Sequence, residues 1–280
     1  MSPTGMTSFD EVYTLPDPRG YFTRLAPYAY QTPAHARPVF RALAAELGPD
    51  RPALLDLCCS YGINAALVNH DVTLDELYAH YTAPEAARLD TAALIDRDRR
   101  FYAARRRPDA VPAIGIDASR PAVEYAVAAG LLDEGHAVDL ETAEPGERLR
   151  RTAARVGLIT VTGGTSFLTE RTFGRLLTAV GRPVPVAAFV LRTHDFRAVA
   201  GCLEAYGLTV ERADGTSPQR RFTDPEEQRR AVAAVTALGE DPAGKETAGW
   251  FHTRLHLARP AARADQAAAP APPAPTATGR

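Results

Sequence analysis

The sequence lacks the features that mark several large classes of protein. It has only three cysteines, and because Cys58 and Cys59 are adjacent while Cys202 is distant, it has neither a disulfide framework nor the spacing of a metal site. No apolar run is long enough to span a bilayer, and the N-terminus shows no basic-then-apolar signal pattern. We therefore expect a cytoplasmic protein with no membrane partner and no metal.

A surplus of one charge is also missing. The chain carries 32 Lys and Arg against 34 Asp and Glu, a formal net charge of −2, which gives no support to a nucleic-acid or anionic-membrane partner. The one dense basic cluster, "RDRRFYAARRR" at 97–107, is typical of a solvated helix face. These counts favour a small-molecule substrate and no nucleic acid, and they leave a homodimer open.

What the sequence does contain is an alternation of short apolar runs with amphipathic helical stretches. Buried strands that alternate with helices are typical of a parallel sheet covered on both faces. The last run alternates apolar and polar residues and is expected to pair antiparallel. The predicted fold class is α/β, with a doubly wound, mostly parallel sheet of seven strands. The predicted strands are 52–59, 111–117, 136–141, 157–163, 184–191, 208–214 and 249–259.

The remaining segments complete the predicted domain organisation. Residues 1–48 are rich in Tyr and Pro before they become helical, and we interpret them as an N-terminal lid. The main domain spans 49–260 and contains a helical insert at about 71–110. Extra helices beside a parallel sheet commonly cover a ligand site. The tail, 261–280, is Ala/Pro-rich without apolar periodicity and is expected to be disordered.

Polar or small residues follow each of the first four predicted strands. Strand one ends in Asp56 and a turn, and strand two in Asp117, whose carboxylate suits ribose hydroxyls. Strand three ends at 139–141, a polar and apolar set that suits adenine, and strand four at 162–164, where glycines admit a close approach. Ligands of doubly wound sheets bind beyond the carboxyl ends of the strands, so this edge is the predicted site.

The turn after the first strand carries a family resemblance. It reads "DLCCSYGINAAL" (56–67) and resembles the first motif of class I S-adenosylmethionine (SAM)-dependent methyltransferases, D/E-x-G-x-G-x-G. Cys58 and Ser60 stand at the first two glycine positions, and Gly62 at the third. Two other stretches, "DPRGYFTRLAPYAYQTPAHARPVF" and "TGGTSFLTERTF", look like the same methyltransferase-like branch. A Rossmann dehydrogenase is disfavoured because its G-x-G-x-x-G turn is missing.

The resemblance implies SAM as cosubstrate and gives each strand end a part of it. Asp56 would steady the loop, and Gly62 would let the backbone approach the amino-acid part of SAM. Residues after the second and third strands would hold the ribose and the adenine, and those after the fourth would face the methionine portion. The implied cofactor-binding residues are Asp56, Ser60, Gly62, Asn64, Asp117, Ala118, Asp139, Leu140, Thr162 and Gly163.

Catalysis at a sulfonium rests on positioning and electrostatics, and a base is needed only if the nucleophile must lose a proton. Tyr21, Tyr30 and Phe167 are candidate catalytic residues because aromatic faces stabilise a sulfonium in a dry site. A small aromatic core explains the tyrosines equally well. His194, after the fifth predicted strand, is the candidate base or else a turn histidine. Further candidate bases are His35, His70, His136 and Glu141.

Three functions fit these observations. The first is methyl transfer from SAM to a small-molecule acceptor, since no nucleic-acid patch or recognition domain is evident. The second is cyclisation of SAM itself, which releases methylthioadenosine and azetidine-2-carboxylate or 1-aminocyclopropane-1-carboxylate, as a few methyltransferase-like enzymes do. The third is a non-catalytic SAM-binding partner subunit, which the many polar strand ends disfavour.

Overall fold

The computed structural model describes residues 6–48, 50 and 52–261. Except for Ala261, the tail predicted to be disordered lies outside these residues, as do the first five residues of the predicted lid. No helix within the described part of the chain is long and apolar enough to cross a membrane.

The elements alternate along the chain much as the sequence predicts. The strands are β1 (Ala53–Leu57), β2 (Ala113–Asp117), β3 (Glu134–Ala137), β4 (Val156–Thr162), β5 (Val186–Leu191), β6 (Leu208–Arg212), β7 (Ser217–Arg221) and β8 (Trp250–Pro260). The helices before β4 are α1 (Asp10–Tyr13), α2 (Arg19–Leu25), α3 (Thr32–Ala45), α4 (Ile63–Asn69), α5 (Leu74–Thr82), α6 (Pro84–Ala87), α7 (Thr91–Ala103), α8 (Arg120–Ala128) and α9 (Glu147–Ala153). Later come α10 (Glu170–Val180), α11 (Arg197–Ala205) and α12 (Pro225–Ala237), with short 3-10 turns at Ala26–Tyr28 and Glu246–Ala248.

All eight strands form one sheet in the order β3-β2-β1-β4-β5-β8-β6, with β7 also paired to β8. Strands β1 to β5 pair in parallel, whereas β8 is antiparallel to β5, β6 and β7. This order, with its antiparallel penultimate strand, is the Rossmann-like methyltransferase fold. The predicted fold class and the antiparallel last strand are therefore confirmed, and β7 adds an eighth strand.

Every residue of β1, β4 and β5 is buried, because helices cover both faces of the sheet. On one face, alternate residues such as Leu55 and Ile159 pack with α9, α10 and α11. On the other, Leu54 and Leu158 pack with Phe40 of α3, so that helix belongs to the sheet's covering layer. Of the described residues in the predicted lid, those before α3 and the first turn of α3 reach the strand ends.

The helical insert is tied to the core by one buried carboxylate. Asp98 of α7 is fully buried and accepts hydrogen bonds from Tyr81 (2.6 Å) and Tyr125 (2.5 Å), with the His80 ring at 2.7 Å. Tyr125 belongs to α8, which packs against β2 and β3. Burying a charge without partners is costly, so this set of bonds fixes the insert against the sheet layer.

The structure corrects four details of the predicted elements. Strand β3 ends at Ala137, so 139–141 form the turn after it rather than its last residues. Helices α9 and α12 and strand β7 have no counterpart in the prediction. Their sequences are strongly charged or contain a proline, as in "SPQRR" of β7, and carry little apolar periodicity.

Candidate functional site

A cavity of about 610 Å³ opens at the carboxyl ends of β1, β2 and β4 and at the turn after β3. Side chains from residues 10–33, which we call the N-terminal cover, line its other side. Its position is where ligands of doubly wound sheets bind. Eleven of the fourteen predicted site residues line it: Tyr21, Tyr30, Ser60, Asn64, Asp117, Ala118, Asp139, Leu140, Thr162, Gly163 and Phe167.

The loop after β1 has the left-handed backbone turns that a glycine motif favours, although Cys58 and Ser60 replace two of the glycines. Cys58, Ser60 and Gly62 all have left-handed backbones, with φ of 58°, 49° and 80°. A residue with a Cβ adopts this conformation at a cost of roughly 1–2 kcal/mol. The side chain of Cys58 occupies the space beside Gly164, where an added Cβ would lie 2.4 Å from its Sγ. The absence of a side chain at Gly164 therefore leaves room for the Cys58 thiol where the loop meets the end of β4.

Gly62 has a different role from the one implied by the resemblance. It does not line the cavity. A Cβ at this position would lie 3.1 Å from Leu131 Cβ and 3.2 Å from Ala126 Cβ. Its lack of a side chain serves the packing of the loop on α8 and its left-handed turn, rather than an approach to a ligand.

Asp56 lies beneath the cavity and is fully buried. Its Oδ1 accepts hydrogen bonds from Asn64 Nδ2 (2.9 Å) and Thr160 Oγ1 (3.0 Å). Burial raises the pKa of Asp56 to about 7, against the lowering effect of those two donors. Asn64 also donates to Thr162 Oγ1 (2.8 Å), so it ties the ends of β1 and β4 together. Through Asn64, Asp56 is bonded to the helix that follows the loop.

Asp117 is bound on both oxygens by the protein backbone. Its Oδ2 accepts from the Ser60 N–H and its Oδ1 from the Ser119 N–H, both at 2.8 Å. Burial raises its pKa, and these backbone donors oppose that shift. The carboxylate therefore joins the β1 loop to the start of α8, and Asp117 also lines the cavity.

The two acidic residues after β3 differ in their bonding. The exposed Asp139 accepts from the Glu141 N–H (2.9 Å) and Thr142 Oγ1 (3.0 Å), so it closes its own turn. Glu141 accepts from the backbone and hydroxyl of Thr169 and from Thr172 Oγ1, at 2.6–2.8 Å. Those donors hold the pKa of Glu141 below its usual value although burial opposes them. Glu141 is therefore an anchor for the start of α10 and a poor proton acceptor.

Three phenols from the N-terminal cover meet in the cavity. The Tyr21 ring lies edge to face with Tyr13 (6.1 Å between centroids) and Tyr30 (6.2 Å). Burial raises the pKa of all three, to about 12 for Tyr30. The Tyr30 hydroxyl lies 2.6 Å from where a Cβ of Gly163 would stand. Gly163, which also has a positive φ, thus makes room for a tyrosine of the cover.

The N-terminal cover is fixed at several points. Tyr61 donates its hydroxyl to the carbonyls of Val12 (2.7 Å) and Leu15 (2.9 Å). Ser119 Oγ donates to the carbonyl of Tyr13, and Tyr78 donates to that of Tyr30 at 3.0 Å. The phenols are therefore held over the strand ends by residues of the loop, of α8 and of the insert.

His194 is not brought to the site. It follows β5, its N–H donates to the carbonyl of Leu191 (3.0 Å), and it does not line the cavity. Burial lowers its pKa. The other histidines considered as bases, His35, His70 and His136, do not line the cavity either. The prediction of a histidine at the cavity edge is wrong because β5 ends one strand beyond those that form it.

Several cavity residues escaped the sequence reasoning. Asp10 and Tyr13 lie on the short helix α1, where no periodic pattern marks a site. Ser119 is the N-cap of α8 and Cys58 stands at a glycine position of the motif, so neither is marked as a cavity residue in the sequence. The one available clue was the closeness of Tyr13 to the tyrosines of "DPRGYFTRLAPYAY" in the sequence. No cluster of metal-binding side chains occurs among the described residues.

Comparisons with known proteins give distant likenesses only. No protein-family model matches the chain, and a search of curated proteins found no relative. A TehB-like SAM-dependent methyltransferase from Corynebacterium glutamicum is 13% identical, with a TM-score of 0.39, over 77% of this chain and 85% of its own.

Two other solved structures are similar at the same level. The magnesium protoporphyrin IX methyltransferase of Synechocystis with bound SAM is 11% identical, covering 81% of this chain and 79% of its own, with a TM-score of 0.39. The third structure is 15% identical, covering 93% of this chain and 95% of its own, with a TM-score of 0.43. Its description reads conversion of a disulfide bond into a thioacetal group during echinomycin biosynthesis. Likenesses this distant carry no argument about the reaction.

Proposed function

We propose that this chain binds SAM and transfers its methyl group to a small-molecule acceptor. The observation that supports the proposal is that eleven of the fourteen site residues predicted from the sequence line one cavity. That cavity lies at the carboxyl edge of a sheet with the methyltransferase strand order. Its volume is within the range of small-molecule sites, roughly 300–1,000 Å³.

The adenosine part of SAM would lie at the ends of β2 and β3. Each Asp117 oxygen accepts one backbone N–H and keeps a lone pair that a ribose hydroxyl can use. The apolar side chains of Ala118 and Leu140 line the same end of the cavity and suit the faces of an adenine ring. Asp139 is bound within its own turn, so it contributes mainly negative charge here.

The methionine part would lie over the loop after β1. Ser60 Oγ and Asn64 Oδ1 are buried atoms without a partner among the described residues, and both residues line the cavity. Buried polar atoms without partners are rare in folded proteins, which supports a ligand at this point. The hydroxyl can donate to the SAM carboxylate, and the amide oxygen can accept from its ammonium.

The sulfonium would face Tyr21 and Tyr30. Their raised pKa values keep both phenols neutral at physiological pH. The ring faces and hydroxyl oxygens therefore offer a partial negative charge to the sulfonium, and not the full charge of a phenolate. SAM supplies an activated methyl group. The chain's own contribution is to orient SAM against the acceptor and to exclude water beneath the N-terminal cover.

Product analysis tests this proposal. Purified protein is incubated with SAM alone and with SAM plus a deproteinised extract of small metabolites. We expect S-adenosylhomocysteine only in the second mixture. Methylthioadenosine formed from SAM alone, faster than in the absence of protein, would instead support cyclisation, and product only with the macromolecular fraction would contradict a small acceptor. Ser60→Ala should weaken SAM binding about tenfold, since it removes one hydrogen bond to a charged group.

A further inference from the structure

The charges around the cavity are all of one sign. The charged residues that line it are Asp10, Asp117, Asp139 and Glu141, and none of the described lining residues is Lys, Arg or His. A cavity with low-dielectric walls concentrates the field of the charges that line it. Its occupant therefore meets a negative potential from two sides, the strand ends and the N-terminal cover.

Three arginines close to the cavity do not line it. Arg220, whose charge lowers the pKa of Tyr30, forms a buried ion pair with Glu227 at 2.7 Å. Beside the turn after β3, Arg175 pairs with Glu144 (2.6 Å) and donates to the carbonyl of Leu140 (2.7 Å), and Arg171 donates to the carbonyl of Glu141 (3.3 Å). None of the three guanidinium groups therefore forms part of the cavity wall that an anionic ligand would meet.

The acceptor side of the cavity differs from the adenosine side. Asp117 and Glu141 are held by backbone and hydroxyl donors, whereas the side chain of the exposed Asp10 accepts no hydrogen bond from any described residue. Asp10 lines the cavity beside Tyr13 and Thr14 of the N-terminal cover. Within the described part of the chain, this rim thus offers a carboxylate without a hydrogen-bond donor, next to a neutral phenol and a hydroxyl.

We infer that the acceptor is an uncharged or cationic nucleophile, such as a small amine, and that carboxylates and phosphates are excluded. This inference rests on the proposed function. SAM itself carries a net positive charge despite its carboxylate, so it suits the same field. An anionic acceptor would lose its hydration without gaining a cationic side chain from the cavity lining, and it would lie against four carboxylate residues, which is unfavourable.

The step balances without a further reactant. The lone pair of the neutral amine nitrogen forms a bond to the methyl carbon. The carbon–sulfur bond breaks with its electron pair on sulfur, which leaves a neutral thioether. Because the amine is captured as an ammonium, it first releases one proton to water at the exposed rim, and after the transfer the methylated nitrogen leaves as an ammonium. The charge of the captured ammonium explains why a negative rim favours its binding.

A matched pair of probes tests the inference. Benzylamine and benzoate have similar shapes and opposite charges, and each is titrated calorimetrically into protein saturated with S-adenosylhomocysteine. We expect benzylamine to bind at least about tenfold more tightly than benzoate, which corresponds to ~1.4 kcal/mol. Asp10→Lys should lower benzylamine affinity about two- to fivefold, the range of an exposed ion pair. Glu11→Lys, on the same helix but outside the cavity lining, should have no such effect.

The outcomes separate the two proposals. If S-adenosylhomocysteine itself does not bind, the proposed function fails. If it binds and benzoate then binds as tightly as benzylamine, only the charge inference is overturned. The charge inference is also overturned if benzylamine shows no binding at millimolar concentrations, or if both lysine variants lower its affinity equally.

Discussion

Cys58 and Ser60 give the β1 loop its left-handed turns without glycine. These two residues stand at glycine positions of the motif, and their positive φ values explain why glycine is the usual choice there. The compensation lies about a hundred residues away, because Gly164 leaves room for the Cys58 thiol. Sequence reasoning could not find this pairing, since contacts between distant strand ends follow only from the sheet order.

The pairing of Cys58 with Gly164 can be measured as a coupling energy. Gly164→Ala alone should destabilise the protein by about 1–3 kcal/mol, the usual cost of overpacking. In the Cys58→Gly background the same change should cost little, because the thiol that it would strike is gone. Urea unfolding of the four proteins gives the coupling. Equal costs in both backgrounds would show that the contact is not restrictive.

Asp56 makes stability depend on pH. Burial raises its pKa to about 7 in the folded state from 3.8, so the folded protein retains a proton that the unfolded chain releases. Stability should therefore fall as pH rises towards 7 and change little above it. Between pH 5 and pH 8 the loss from Asp56 is about 3 kcal/mol. Asp56→Asn should remove that part of the profile, as measured by urea unfolding, and an unaltered profile would contradict the assigned shift.

The strands and the N-terminal segment were predictable to different extents. The strands β1, β4 and β5 are continuous apolar runs, so their positions follow from composition alone. The N-terminal segment is divided by packing. Helix α3 covers the sheet, and residues 10–33 reach the cavity. The aromatic residues predicted that this segment would line the site. Nothing in the sequence, however, separates the part that lines the cavity from the part that covers the sheet.

Tyr61 should control the order of the N-terminal cover. Its hydroxyl donates to the carbonyls of Val12 and Leu15, and its ring is fully buried. Tyr61→Phe keeps the ring but leaves both carbonyls without that donor, which costs about 1–3 kcal/mol locally. We expect faster hydrogen exchange at residues 10–16 and weaker SAM binding, with exchange in the sheet unchanged. Uniformly faster exchange would instead make Tyr61 a general core residue.

At the scale of the whole molecule, the cavity results from three separate layers. The sheet supplies the strand ends, the N-terminal cover supplies phenols, and the insert holds the cover through Tyr78 and the core through Asp98. The sequence predicted the first layer and suggested the second. The role of the insert was not predictable, because its buried carboxylate and tyrosines look like any amphipathic helix pattern.

The most direct test of the account is whether SAM occupies this cavity. Ala118 is exposed at the cavity wall, so Ala118→Trp should fill the adenosine end without disturbing the core. Ala103→Trp, at an exposed helix end outside the lining, is the matched control. In calorimetric titrations we predict that the wild-type protein and Ala103→Trp bind one SAM per chain with equal affinity, and that Ala118→Trp binds none. Equal binding by all three proteins, or no binding by the wild type, would contradict the account.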